Sequence, residues 1–347
     1  MKFNSVLMVL TEACHVGCQH CGYRGSPRNR EMTPVEVVAW IDQILGYGVP
    51  EIIFTGGEPF ERRDLLEPGV ARTREWNARS SVFTSSFWAS SFGEACRVLS
   101  RLSGLTTLYL STDIYHQQQV PLQHVRNAID AAIELGVRNI SLNITYATEA
   151  DRRHIASQYS DYRERIHVYA DRVIPLPDAQ ASIRLLRGQD SLRELAPHAY
   201  AVRCWLGTPL VNPNGDVASC HIGKAGSRRD LRDLPYFLGN LRELTFTEIM
   251  ERSESRTDYQ YLRTHGPRGV AQMAADMPEV LRALPRRDFT TECDMCWSVL
   301  ETPEGARSLK VYSASKVDRI DARRAMVLGE RPIDRPAPEP AAATEGI

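Results

Sequence analysis

Three cysteines, Cys14, Cys18 and Cys21, stand three and then two residues apart in one short stretch, just after the apolar run Val6 to Leu10. A loop that compact can aim three thiolates at one small object. Thiolates are soft ligands, which points to an iron–sulfur cluster or zinc. Three ligands suit a cubane cluster, holding three irons and leaving the fourth open to a substrate. A zinc knuckle and unrelated thiols are the alternatives.

A second set lies downstream. Cys204 and Cys220 flank Asn212-Pro213-Asn214-Gly215, and Asn-Gly between apolar stretches signals a hairpin that can bring them together. Cys293 and Cys296 add a Cys-x2-Cys pair. Four thiolates make a complete tetrahedral set, for which zinc and iron–sulfur fit equally on bare chemistry. The remaining cysteine, Cys96, recurs with Leu99 and Leu102 and reads as a buried apolar residue, the alternative being a hydrogen-atom donor.

The elements that must position these groups alternate. Val6 to Leu10 reads as a strand. Thr33-Pro34-Val35-Glu36 opens a helix as a capping box with proline at its first position, and Gly46 closes it. Strands follow at Ile52 to Phe54, Val82 to Ser85, Leu108 to Ser111, Ile140 to Ile144 and His167 to Ile174. Helices are expected at Glu94 to Leu102 and Leu122 to Leu135. This rhythm predicts an α/β fold with a parallel, barrel-like sheet and chemistry at the C-terminal strand ends. Gly266-Pro267-Arg268-Gly269 reads as a loop over the site or a bridge between domains.

Directly after the second strand comes Thr55-Gly56-Gly57-Glu58-Pro59, whose glycines let backbone approach a ligand closely. Together with Cys-x3-Cys-x2-Cys, this Gly-Gly-Glu-Pro element resembles the radical S-adenosylmethionine (radical SAM) superfamily. The resemblance implies a partial (β/α)6 barrel. It also implies a [4Fe–4S] cluster on Cys14, Cys18 and Cys21, with S-adenosylmethionine at the open iron and its amino group at Gly56 to Pro59. Ser111, Asp113 and Asn143, at later strand ends, are further candidates for the ribose and carboxylate. Thr84-Ser85-Ser86 departs from the Thr-Asn-Gly of many relatives, and His20 stands where an aromatic is common.

Cys-x10-Gly-x4-Cys, a long gap and Cys-x2-Cys resemble the twitch domain, the short form of the SPASM extension. Phe237-Leu238-Gly239-Asn240-Leu241 fits the stretch that follows its hairpin. That pattern implies one auxiliary [4Fe–4S] cluster on Cys204, Cys220, Cys293 and Cys296. The resulting division is a barrel over 1–185, a twitch-like domain over 186–300, a helical segment over 301–328, and a disordered Pro/Ala-rich tail over 329–347.

The family chemistry is reductive cleavage of S-adenosylmethionine to a 5′-deoxyadenosyl radical that takes a substrate hydrogen atom. A flavodoxin- or ferredoxin-type protein would supply the electron. The auxiliary set resembles that of the dehydrogenase and epimerase branch, which predicts an oxidoreductase acting on a small aminocyclitol- or sugar-like natural-product intermediate. A maturase of a ribosomally made peptide is the alternative, weighed against by a chain that begins almost at the first strand. Four auxiliary cysteines and the absence of a Gly-Gly tail depart from the molybdenum-cofactor cyclase. A non-catalytic electron carrier would have no need of Gly56 to Pro59.

Composition narrows the class. The chain has 347 residues, 43% hydrophobic and 24% charged, with a formal net charge of −1. It carries no electrostatic footprint for nucleic acid or an anionic membrane. No run approaches membrane-spanning length, and no signal-type N-terminus is present. Eight cysteines in such a chain argue for metal binding over disulfides and for the cytoplasm.

Overall fold

The computed structural model describes residues 1–18, 20–21, 31–173, 193–201, 204, 208–220 and 231–333. The boundary expected near 185 and most of the tail lie outside them.

Six strands, β1 (Val6–Val9), β2 (Glu51–Thr55), β3 (Arg79–Thr84), β4 (Thr107–Thr112), β5 (Asn139–Tyr146) and β6 (His167–Arg172), pair in chain order, all parallel. Helices α1 (Pro34–Gly46), α2 (Arg63–Glu75), α3 (Phe92–Leu99), α4 (Leu122–Glu134) and α5 (Glu149–Ser157) make the crossovers. This is an open, partial (β/α)6 barrel.

The expected capping box at Thr33 and Glu36 is formed. A cap contributes about 1 kcal/mol, whereas each buried side chain of Val37, Ile41 and Ile44 contributes about 2 kcal/mol. Packing therefore fixes α1, and the cap sets where it starts. Successive strand residues alternate between faces. Ile52, Phe54, Val82, Leu108, Leu110, Leu142 and Ile144 meet the helices in one core. The other face carries Ser81 and Phe83, Tyr109 and Ser111, then Ser141 and Asn143, a lining of mixed polar and aromatic groups for the barrel interior.

The sheet does not stop at β1. β8 (Leu210–Val211) pairs with it in parallel, Leu7 opposite Leu210 and Met8 opposite Val211. β9 (Asp216–Ala218) and β10 (Phe237–Asn240) extend the sheet further, giving the order β10-β9-β8-β1-β2-β3-β4-β5-β6. The hairpin expected at Asn214-Gly215 is this β8–β9 turn, with Gly215 at φ 87°. Leu7 and Val9 join a second core with Leu210, Ala218, Tyr236, Met295 and Trp297. β7 (Arg193–Glu194) pairs with β11 (Asp288–Phe289).

After β10 come α6 (Phe246–Glu254), α7 (Thr257–Asp276), α8 (Pro278–Ala283), α9 (Glu292–Leu300), α10 (Pro303–Ala314) and α11 (Val317–Arg323). The loop expected at Gly266 to Gly269 is instead a kink inside α7. Gly266 has φ 56° and ψ −154°, and both it and Pro267 are buried. Pro267 removes a helical N–H, and glycine alone takes the left-handed turn at no steric cost. The kink frees the Arg268 amide to donate to the Ala201 carbonyl at 3.0 Å, while Arg268 Nε donates to the Tyr200 carbonyl at 3.0 Å. It thus anchors the stretch at Tyr200 and Ala201, just before Cys204.

Candidate functional site: two thiol sets at opposite ends of one strand

The first set hangs from the C-terminal end of β1. Leu10 N–H donates to Thr55, Gly57 N–H to the Thr11 carbonyl at 2.8 Å, and Glu58 N–H to the Ala13 carbonyl at 2.9 Å. The Gly-Gly element is thus laced to the cysteine loop as a short ladder. A Cβ on Gly57 would stand 1.9 Å from the Ala13 oxygen, and one on Gly56 would stand 2.4 Å from the Thr11 oxygen. The close approach these glycines permit is, in this structure, to the cysteine loop itself.

Glu58 is 1% exposed and works as an internal brace. Its carboxylate accepts from Thr84 Oγ1 (2.8 Å), Ser85 N (2.7 Å), Ser85 Oγ (2.5 Å) and Phe60 N (3.1 Å). Burial raises its pKa, and the Ser85 donors oppose that rise. Thr84 and Ser85, the first two residues of Thr84-Ser85-Ser86, are therefore committed to Glu58. Pro59 starts the turn that stacks Phe60 on Trp88, with centroids 4.5 Å apart.

Cys14, Cys18 and Cys21 are each half-buried. Burial pushes the Cys14 thiol up to about 11. Cys18 is raised by burial, then by Asp113, and then by Cys21 and Cys14, so the three thiols and Asp113 share one neighbourhood. Asp113 caps its own loop, accepting from Tyr115 N (2.9 Å) and His116 N (2.7 Å). Its other oxygen lies 3.7 Å from His20 Nε2. The His20 ring tilts against Tyr115.

Ser111 and Asn143 are register partners on the inner face. Asn143 Nδ2, Ser141 Oγ and Ser86 Oγ are buried without hydrogen-bond partners. Orphaned polar groups of this kind, beside the thiol loop, fit a polar ligand that would satisfy them. His116 belongs to the same group and was not marked by any sequence motif. It is 2% exposed, and burial lowers its pKa to about 4, leaving the imidazole neutral.

The second set lies at the other end of β1. Cys220 follows β9, which runs antiparallel and brings the chain back toward the start of β1. Cys293 and Cys296 sit in the first turns of α9, where the helix dipole favours thiolates. Burial raises both thiols, and Cys204 and Cys220 raise them further, which places the four together. Asp171, on the inner side of β6 opposite Thr145, also acts on Cys293. Asp294 is 1% exposed and is held by Arg286 and by the Thr290 amide at 2.9 Å, which fixes the turn between the two cysteines.

Among the described residues no three His, Cys, Asp or Glu side chains converge on a point that one metal ion could fill. A cubane gives each thiolate its own iron, so thiols gathered around a volume fit it without such convergence. Cys96 packs on the helix side of the sheet, and the structure does not bring it to either set.

Residues 8–157 match the model of the Radical SAM superfamily. That stretch is a radical SAM domain. PqqA peptide cyclase from Xanthomonas oryzae pv. oryzae is 26% identical over 326 residues, covering 82% of this chain and 81% of that protein. A probable GTP 3′,8-cyclase from Methanocella arvoryzae is 29% identical over 154 residues, covering 42% of this chain and 48% of that protein. The chain thus spans under half the length of the GTP cyclases it matches. In structure, Streptococcus suis SuiB bound to S-adenosylmethionine aligns with a TM-score of 0.51 at 12% identity, covering 71% of this chain and 65% of SuiB. A radical SAM domain takes a [4Fe–4S] cluster and S-adenosylmethionine, which suits the thiol loop and the orphaned polar groups beside it. No helix among the described residues is long and apolar enough to cross a membrane.

Proposed function

We propose that this protein is a radical SAM enzyme with one auxiliary [4Fe–4S] cluster, and that it modifies a peptide. The observation that carries the reading is the placement of two thiol sets at opposite ends of β1 with an inner face of mixed polar and aromatic groups between them. Bound at Cys14, Cys18 and Cys21, the cluster with S-adenosylmethionine supplies a 5′-deoxyadenosyl radical able to take a hydrogen atom from an unactivated carbon.

The chain's own residues position and enclose. Gly56 to Pro59 hold the cysteine loop in register, with their free edge toward the amino acid part of S-adenosylmethionine. Ser111, Asp113 and Asn143 offer polar contacts to the rest of it. The inner face from Ser81 to Asp171 orients the substrate and keeps water from it. Cys204, Cys220, Cys293 and Cys296 hold the auxiliary cluster, where an electron leaving the substrate can be received. A flavodoxin- or ferredoxin-type protein would supply the electron to a cluster held at Cys14, Cys18 and Cys21.

Two observations favour a peptide. The relative aligned over four-fifths of both chains is named for a peptide substrate. Among the described residues β6 is also an edge strand of the sheet, with Val168 47% and Tyr169 58% exposed, an edge along which an extended main chain can lie. The second reading, dehydrogenation or epimerisation of a small sugar-like intermediate, is favoured by the hydroxyl and amide groups of Ser111, Ser141 and Asn143.

The test is 5′-deoxyadenosine formation by the anaerobically reconstituted protein, given host extract split by size. Stimulation by a protease-sensitive fraction supports the peptide. Stimulation by the small, protease-resistant fraction alone transfers the assignment to the second reading. No 5′-deoxyadenosine under strong reductant refutes both and leaves an electron carrier.

A further inference from the structure

Tyr236 ties together the two distant parts of the second thiol set. Its carbonyl accepts from the amide of Ser219, the residue before Cys220, at 2.8 Å. Its ring lies parallel to that of Trp297, the residue after Cys296, at 4° with centroids 6.3 Å apart. The residue is 2% exposed. Its hydroxyl lies 3.5 Å from the Cys296 carbonyl oxygen and 3.9 Å from its Sγ.

Both contacts are long for a hydroxyl donor, whose bonds to oxygen centre near 2.8 Å. A buried phenol ordinarily finds a full acceptor. Trp297 Nε1 and Ser219 Oγ, each adjacent in sequence to a cysteine of this set, are also buried without partners. The Tyr236 hydroxyl is thus a buried donor beside the Cys296 sulfur with no acceptor at ordinary distance. A sulfur atom carrying negative charge, as a cluster thiolate or sulfide does, is the acceptor this surrounding is built for.

We propose that the Tyr236 hydroxyl donates to sulfur of the auxiliary cluster at Cys296, and so holds that cluster's reduction potential above the value its four thiolates alone would set. The added electron of the reduced state spreads onto sulfur, where a hydrogen-bond donor stabilises it. A raised potential favours receiving an electron. Tyr236 is on this account a positioning residue acting through Cys296. The inference rests on the auxiliary cluster proposed above.

The test uses the full chain carrying Cys14→Ala, Cys18→Ala and Cys21→Ala, so that only the second site can bind iron, with and without Tyr236→Phe. Phenylalanine keeps the ring against Trp297 and removes only the hydroxyl. Redox titration followed by electron paramagnetic resonance should show the same cluster with a more negative midpoint in the Tyr236→Phe protein. An unchanged midpoint at full iron content overturns the inference. If Tyr236→Phe fails to load, the parent protein is exchanged into deuterium oxide instead. Pulsed resonance should then detect an exchangeable proton coupled to the reduced cluster, and its absence overturns the inference. A parent protein that binds no iron overturns the auxiliary-cluster reading itself, a result distinct from iron bound with an unshifted potential.

Discussion

Gly57 lies so close to Ala13 that a methyl group in place of its hydrogen would stand 1.9 Å from the Ala13 carbonyl oxygen. The obstacle is backbone on both sides, so no side chain can swing away to relieve it. Gly57→Ala should push the Gly-Gly element off the cysteine loop, costing about 3 kcal/mol locally. Iron analysis is expected to show loss of the first cluster with the second retained. A Gly57→Ala protein with full iron would contradict the ladder described here.

Glu58 receives four donors on two oxygens. Glu58→Gln puts an amide NH2 where the Phe60 and Ser85 backbone amides can only donate and two hydroxyls now point at it, at a cost of about 2 kcal/mol from unmade buried hydrogen bonds. Urea denaturation should register that loss. Glu58→Asp, which keeps the charge but falls short of Ser85, should lose less. Equal stability of all three proteins would remove the brace assigned to Glu58.

The two thiol sets should separate cleanly by function. Reconstituted protein is expected to hold about eight irons, falling to about four in Cys18→Ala and in Cys293→Ala. Cys18→Ala should abolish S-adenosylmethionine cleavage. Cys293→Ala should retain cleavage yet form no product, and normal turnover there would refute an electron-accepting role for the second set.

How much of this was readable in the chain depends on whether the determinant was local. The capping box of α1 and the six parallel strands rest on near-neighbour spacing and stand as expected. Helix α2 went unread, and it carries Pro68-Gly69 in its middle; Gly69 is there to let Phe54 pack 2.7 Å from where its Cβ would be. Helix α5 went unread because Ile155 is its one buried residue. Gly266-Pro267, read as a loop, is a kink inside α7. Asp171, His116 and Tyr236 carry no motif, since their significance comes from strand pairing and from contacts across some sixty residues, as between Tyr236 and Cys296.

A buried ion pair closes the C-terminal half, and it is pH-sensitive. Arg263 and Glu330, 4% and 7% exposed, are joined by two hydrogen bonds of 2.8 and 2.9 Å. Burial alone would raise the Glu330 pKa, but Arg263 outweighs it and holds the carboxyl at about 2. Because the folded value lies below the unfolded one, the pair stabilises fully above about pH 4.5, and the contribution fades as pH falls toward 2. Glu330→Gln leaves the guanidinium buried without its counter-charge and should cost about 3 kcal/mol at pH 7. The gap between the two proteins should narrow at pH 3.5; a gap constant across that range would contradict the assignment.

The pairing of β8 with β1 has a consequence for how the chain is made. Until Leu210 and Val211 have emerged during synthesis, the outer edge of β1 has no strand beside it, although the other five barrel strands are already complete. A nascent chain at that stage shows bare amide and carbonyl groups along a strand of four apolar residues, an invitation to pair with another chain. Fragments cut between the barrel and the hairpin should therefore aggregate, and the second half of the protein acts as the cover that lets the first half stay apart from its neighbours.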